Sequence, residues 1–189
     1  MSPDFARRLT LLALVTTLAG GGCAQRSRLS LLSYGDPYFP ERFVIDVADC
    51  AYRTDASGDY HILARSTPRA GAGLEVEQLL HVHLFWRPRP GKTFDDPSSI
   101  DARLRYVVAS DDNVEVYRGA GFVYVKRRRL APRLTVQVER AQLQPIGDAR
   151  GKGDSLGEST LEGVLQAADD SALAMELQRQ VDLYAGQLE

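Results

Sequence analysis

A mainly β fold, an antiparallel sandwich or a partly closed barrel with a C-terminal amphipathic helix, is predicted by three observations. Short period-two hydrophobic runs, about seven of them, recur between residues 43 and 144. Clusters of Gly, Pro, Asn and Asp separate these runs, and no strand–helix–strand spacing competes with them. The period becomes helical only after Asp170.

In chain order, Phe43, Ile45 and Val47 alternate with Val44, Asp46 and Ala48 as a first strand. Residues 55–58, Asp-Ala-Ser-Gly, supply turn chemistry before Tyr60, Ile62 and Ala64 resume the alternation, so a hairpin is expected over 43–65. Pro68, Gly71 and Gly73 then mark a loop. The strongest strand covers 74–86, with Val76, Leu80, Val82, Leu84 and Trp86 on one face. Its other face is mixed, with Glu75, Glu77, Leu79, His81, His83 and Phe85, as expected where another element crosses the sheet near Leu79 and Phe85. Trp86 is assigned to the core.

Leu104, Tyr106 and Val108 alternate in the next strand, and Asp111, Asp112 and Asn113 form a tight turn into 114–118. Gly119 and Gly121 signal a turn or bulge before 122–126. After Pro132, Leu134, Val136 and Val138 share a face, but beyond Glu139 and Arg140 the apolar set moves to Ala141 and Leu143, the signature of a bulge or bend. Residues 147–157 carry four glycines and read as a loop, and 159–167 as an additional strand interrupted by Gly163. Leu173, Leu177, Val181, Tyr184 and Leu188 then recur at helical spacing, with Asp170 or Ser171 as N-cap. One narrow apolar stripe fits a helix lying across a sheet.

The N-terminus addresses location. Arg7 and Arg8 precede ten uncharged, mostly apolar residues, 9–18, a helix of roughly 15 Å that is too short for a conventional membrane span. The pattern fits a secretory signal peptide. Leu18, Ala19, Gly20, Gly21, Gly22 and Cys23 resemble the bacterial lipoprotein signal, in which small residues precede a cysteine that is lipidated and becomes the new N-terminus. That resemblance implies a signal peptide at 1–22, lipid at Cys23 and an exported protein held at the cell membrane or outer membrane. It covers about two dozen residues and carries no activity. Residues 23–42 are then expected to form a lipidated, extended arm, and 43–189 a single β-rich domain with its helix.

Without residues 1–22 the formal charge is near −3, which gives no reason to expect a nucleic-acid partner. With Cys23 lipidated, Cys50 has no intramolecular disulfide partner and reads as a small buried residue. Tyr34, Tyr38 and Phe39 lie close together in the arm, where packing along the domain edge is expected and partner contact is the alternative. Lys126, Arg127, Arg128 and Arg129 form the pronounced charge run, a solvated strand end or a contact for anionic lipid or polysaccharide.

Signals for chemistry are weak. There is no P-loop, no nucleophile elbow and no EF-hand spacing, and no cofactor is implied. His81 and His83 share one side of a strand, roughly 6.6 Å apart along it, and His61 can approach from a neighbour. Three imidazoles, with Glu77 or an aspartate, would suit zinc or copper. A His-X-His pair alone is nonspecific, so ordinary histidines are the first expectation. A lipid-anchored structural or binding protein of the cell envelope is the leading functional expectation, and an enzyme or metal-binding protein built around His61, His81 and His83 the alternative.

Overall fold

The computed structural model describes residues 26–36, 38–66, 76–85, 101–110, 113–127, 132–146 and 156–186. Eight strands follow in order: β1 (Arg28–Ser33), β2 (Glu41–Thr54), β3 (Tyr60–Ser66), β4 (Glu77–Leu84), β5 (Ala102–Ser110), β6 (Asn113–Arg127), β7 (Arg133–Pro145) and β8 (Ser159–Asp169). A helix, α1 (Ser171–Gly186), ends the described chain. Each strand pairs antiparallel with the next, and β1 pairs with β8, so the sheet closes into a barrel. The sandwich alternative is thereby set aside.

Period-two patterning explains closure. Inward residues such as Leu29, Leu31, Ile62, Val82, Leu104, Tyr106, Val136 and Leu165 form one continuous buried cluster that fills the interior. Eight strands enclose a space about wide enough for side chains alone. Outward positions include exposed ion pairs such as Arg28–Asp46 and Arg42–Glu162. An apolar interior with charges outside is the inverse of a lipid-facing barrel.

The β domain begins earlier than residue 43. Within the stretch expected to be an extended arm, Leu29 and Leu31 are buried, and β1 bridges β2 and β8 through Leu31↔Phe43 and Leu31↔Leu161. Before the start of β1, past Arg28, β2 and β8 meet directly in parallel at Ala51↔Ala168, beside a Tyr52 hydroxyl donating to Asp169 at 2.8 Å. The expected packing of the aromatic arm does not occur: Tyr38 and Phe39 are 86% and 74% exposed in the β1–β2 turn.

Both expected irregularities are bulges. β7 slips between Val138 and Ala141, where Glu139 and Arg140 are both exposed and Arg140 takes a φ of 44°. β6 runs unbroken through its glycines with a register shift between Ala120 and Phe122. A Cβ at Gly121 would lie 2.6 Å from Ala141 Cα, so the close approach of the two bulges requires glycine there.

Asp170 caps α1, its carboxylate accepting the Leu173 amide at 3.0 Å. Ala174, Leu177, Val181 and Ala185 face the sheet and bury Ala51, Leu63, Leu79, Val107, Ala109 and Val116. The helix is thus the element that crosses β4 at Leu79. Phe85 remains 39% exposed, so the cover does not extend to it. Arg53 donates twice to Gln178, at 2.8 and 3.1 Å, and Arg105 pairs with Asp182 at 2.6 Å, tying the helix flank to β2 and β5.

Candidate metal centre

The centre starts with the β2–β3 turn. The Gly58 amide bonds the Asp55 carbonyl at 3.0 Å, and Gly58 adopts a φ of 88° that closes the turn. Asp55 Oδ1 accepts the Asp59 amide at 2.9 Å, which leaves Oδ2 aimed at His61 Nε2, 3.2 Å away. Turn chemistry therefore fixes a carboxylate at the foot of the hairpin.

Strand register supplies the imidazoles. His61 of β3 stands directly opposite His83 of β4, and His81 stands opposite Leu63. All three occupy the outward row that continues from Leu63 and Leu79 beneath α1. The rings of His61 and His83 stack with centroids 4.5 Å apart and planes within 7°. His61 Nδ1 lies 3.0 Å from His81 Nε2, and His83 Nε2 lies 3.2 Å from Asp59 Oδ2. Beyond His83, Phe85 packs edge-on to its ring and beneath Arg103.

Among the described residues, donor atoms of Asp55, His61 and His83 lie within 4.8 Å of one another. His81 stands behind them. Burial pushes its pKa down from 6.5 to about 3, aided by repulsion from His61, Arg105, His83 and Arg53. Burial also lowers the His61 pKa, against the opposing pull of Asp55. The hydrogen bond from His61 holds the Asp55 carboxyl below its usual range. At neutral pH the Asp55 carboxylate is ionised and the His61 ring is neutral, the protonation that metal ligands require, and the His81 ring behind them is neutral too.

The three histidines expected to meet do so, but His81 contacts His61 instead of joining the donor group. Asp55 supplies the acid. Glu77 lies at the far end of β4, 4.0 Å from Arg65 and bonded by Tyr184, and takes no part. Asp55 reads in the sequence only as a turn residue; its signal is an aspartate opening a hairpin whose returning strand carries a histidine.

The other candidates do not join this cluster. Tyr34, Tyr38 and Phe39 are exposed in the turn at the opposite end of β2. Lys126 and Arg127 are exposed at the end of β6, and Arg127 lies 3.7 Å from Asp169. Cys23, Trp86, Asp111, Asp112, Arg128, Arg129 and the glycine-rich stretch 147–155 lie outside the described residues. Cys50 is a half-buried free thiol packed against the interior, its pKa raised to about 12 by burial, which suits an inert residue. Comparison with known proteins finds no matching family model, no matching curated protein and no matching solved structure.

Proposed function

We propose that this protein binds a divalent transition metal, zinc fitting best, through Asp55, His61 and His83. The observation that carries this reading is the convergence of one carboxylate and two imidazoles within 4.8 Å. Nitrogen and oxygen donors on tetrahedral zinc at about 2.0 Å sit roughly 3.3 Å from one another. The 3.2 Å between His61 Nε2 and Asp55 Oδ2 already matches two ligands of one ion.

Two imidazoles share an ion only where their ring planes meet, so the parallel stack opens on binding. His83, with 31% of its side chain exposed, is the ring that turns; His61, at 10% and bonded at both nitrogens, stays. Asp59 or water then completes four-coordination. Copper, which also favours imidazole, is the competing ion.

The test is metal content of tag-free protein together with zinc titration followed by calorimetry and thermal unfolding. Zinc at 100 times its Kd stabilises the fold by about 2.7 kcal/mol. Asp55→Asn and His83→Ala abolish that gain. Absence of stabilisation by either zinc or copper overturns the proposal.

A location in the cell envelope is a second proposal, supported by Arg7, Arg8, the apolar run and Cys23. A lipid at Cys23 would tether the barrel, since two acyl chains bury hydrocarbon at about 0.8 kcal/mol per CH₂. The exposure of Tyr38 and Phe39 favours a protein or polysaccharide contact at the β1–β2 turn. Mass spectrometry of the mature N-terminus tests the anchor: a lipidated peptide beginning at Cys23 supports it, and a soluble product beginning later refutes it.

A further inference from the structure

We infer that His81 is the positioning residue of this centre, accepting a hydrogen bond from His61 Nδ1–H so that His61 Nε2 presents a bare lone pair to the ion. The inference rests on the metal-binding proposal and adds to it a residue that touches no metal. Its ground is a count of protons along the chain Asp55–His61–His81.

A neutral imidazole carries one N–H and one lone pair. In one arrangement His61 Nε2–H donates to Asp55 Oδ2 over 3.2 Å, and His81 Nε2–H donates to His61 Nδ1 over 3.0 Å. Every contact is then a hydrogen bond, but His61 has no lone pair facing Asp55. In the other arrangement both imidazoles change tautomer. His61 Nδ1–H donates to His81 Nε2, His81 carries its proton on Nδ1, and His61 Nε2 is bare. Two acceptors, Nε2 and the carboxylate, now face each other 3.2 Å apart, an arrangement that repels unless a cation lies between them.

Metal binding and the tautomer change are therefore one event. His81 makes it possible by acting as donor in the first arrangement and acceptor in the second. Burial gives this role its weight. His81 is 7% exposed and His61 8%, so bulk water is a poor substitute for the lost partner of His61 Nδ1. Outer-shell partners of this kind typically contribute 10- to 100-fold in metal affinity.

The experiment is zinc chloride titration of the whole mature chain against a competing chelator, for wild type, His81→Phe and His81→Gln, with folding checked by circular dichroism. Phenylalanine fills the space without an acceptor, whereas glutamine offers an amide oxygen to His61 Nδ1–H. The expected result is affinity 10- to 100-fold weaker in His81→Phe and restored to within about 3-fold of wild type in His81→Gln. Nitrogen-15 spectra of the His81 ring in wild type give a readout that packing alone would not move: zinc shifts the ring proton of His81, which touches no metal, from Nε2 to Nδ1.

Unchanged affinity in His81→Phe overturns the inference and leaves the metal proposal standing. So does equal weakening in both variants, which would make the role of His81 one of packing. Should His81→Phe fail to fold, the spectra decide, and a zinc-loaded protein in which His81 keeps its proton on Nε2 overturns the inference. Wild type that binds no zinc overturns the metal proposal itself.

Discussion

The two faces of strands β3 and β4 are separated by a single residue step and have opposite chemistry. Inward, Ile62, Ala64, Leu80, Val82 and Leu84 are buried in a largely apolar interior. Outward, Leu63 and Leu79 lie beneath α1, while His61, His81 and His83 continue the same row. The inner face needs only volume and apolarity, because the barrel hides whatever points inward. On the outer face, cover is partial, and each polar group that the fold shields must find a partner within the row. His81 is nearly as hidden as the outermost core residues, at 7% exposure, and its hydrogen bond to His61 is what makes that burial tolerable. The comparison separates residues that hold the barrel together from residues that give it chemistry.

The largest expected effect tests that separation from the inside. Ile62→Ala removes a fully buried side chain adjacent in sequence to His61, and a loss of about 4 kcal/mol in denaturant unfolding is expected. Zinc affinity should be unchanged, because residue 62 points away from the cluster. A large drop in affinity without unfolding would mean that the two faces are mechanically coupled.

Acid tests the same division from the outside. The His81 pKa is lowered from 6.5 to about 3 in the folded protein, so between those values the unfolded chain binds a proton that the native state does not. Stability is therefore full above about pH 6.5 and falls as the pH drops toward 3. In the presence of a chelator, chemical unfolding at pH 4.5 and 6.5 should differ by about 2–3 kcal/mol from this group. His81→Phe should remove this share of the slope and leave the share of His61, whose pKa is also lowered. An equally steep dependence in the variant would place the acid sensitivity elsewhere.

These regions were unequally legible in the sequence. The bulge at Glu139–Arg140 announced itself because two consecutive residues broke the alternation, and both proved exposed. The helix and its cap were readable because Asp170 precedes a clean change of period. Closure was not readable. It depends on β1, only six residues long, whose Leu29 and Leu31 provide too short an alternation to stand out from a polar linker. At the centre, His61 was expected to approach the His81 and His83 pair from a neighbouring strand, but sequence cannot separate His81 from His83, which lie on the same side of one strand. Their roles divide because His81 lies toward Leu79 and the helix, and His83 toward the exposed Phe85.

A smaller effect concerns the cover itself. Asp170→Ala removes the acceptor for the Leu173 amide and should cost about 1 kcal/mol, read from thermal unfolding. The helix keeps its buried stripe, so α1 frays at its first turn and stays docked, and Asp170→Asn should recover most of the loss. A loss above about 3 kcal/mol would mean that the cap also anchors the parallel junction between β2 and β8.

The smallest effect is expected at the β1–β2 turn, where aromatic residues lie outside both cores. Asp36 organises this turn, its Oδ1 accepting the Tyr38 amide at 2.8 Å and the Phe39 amide at 3.3 Å. The backbone is thus set by a carboxylate, and the rings of Tyr38 and Phe39 are left 86% and 74% exposed. Replacing both with serine should change stability by no more than about 0.5 kcal/mol, since little apolar contact is lost. Asp36→Ala, which leaves both rings in place, should cost more than the double replacement because it removes the acceptor that shapes the turn. Denaturant unfolding of the two variants side by side provides the check. If the double serine variant lost more than about 1 kcal/mol, the rings would be packing on the barrel, and the turn would belong with the interior as a structural element. If it did not, any binding defect in that variant could be assigned to the exposed rings and separated from the fold.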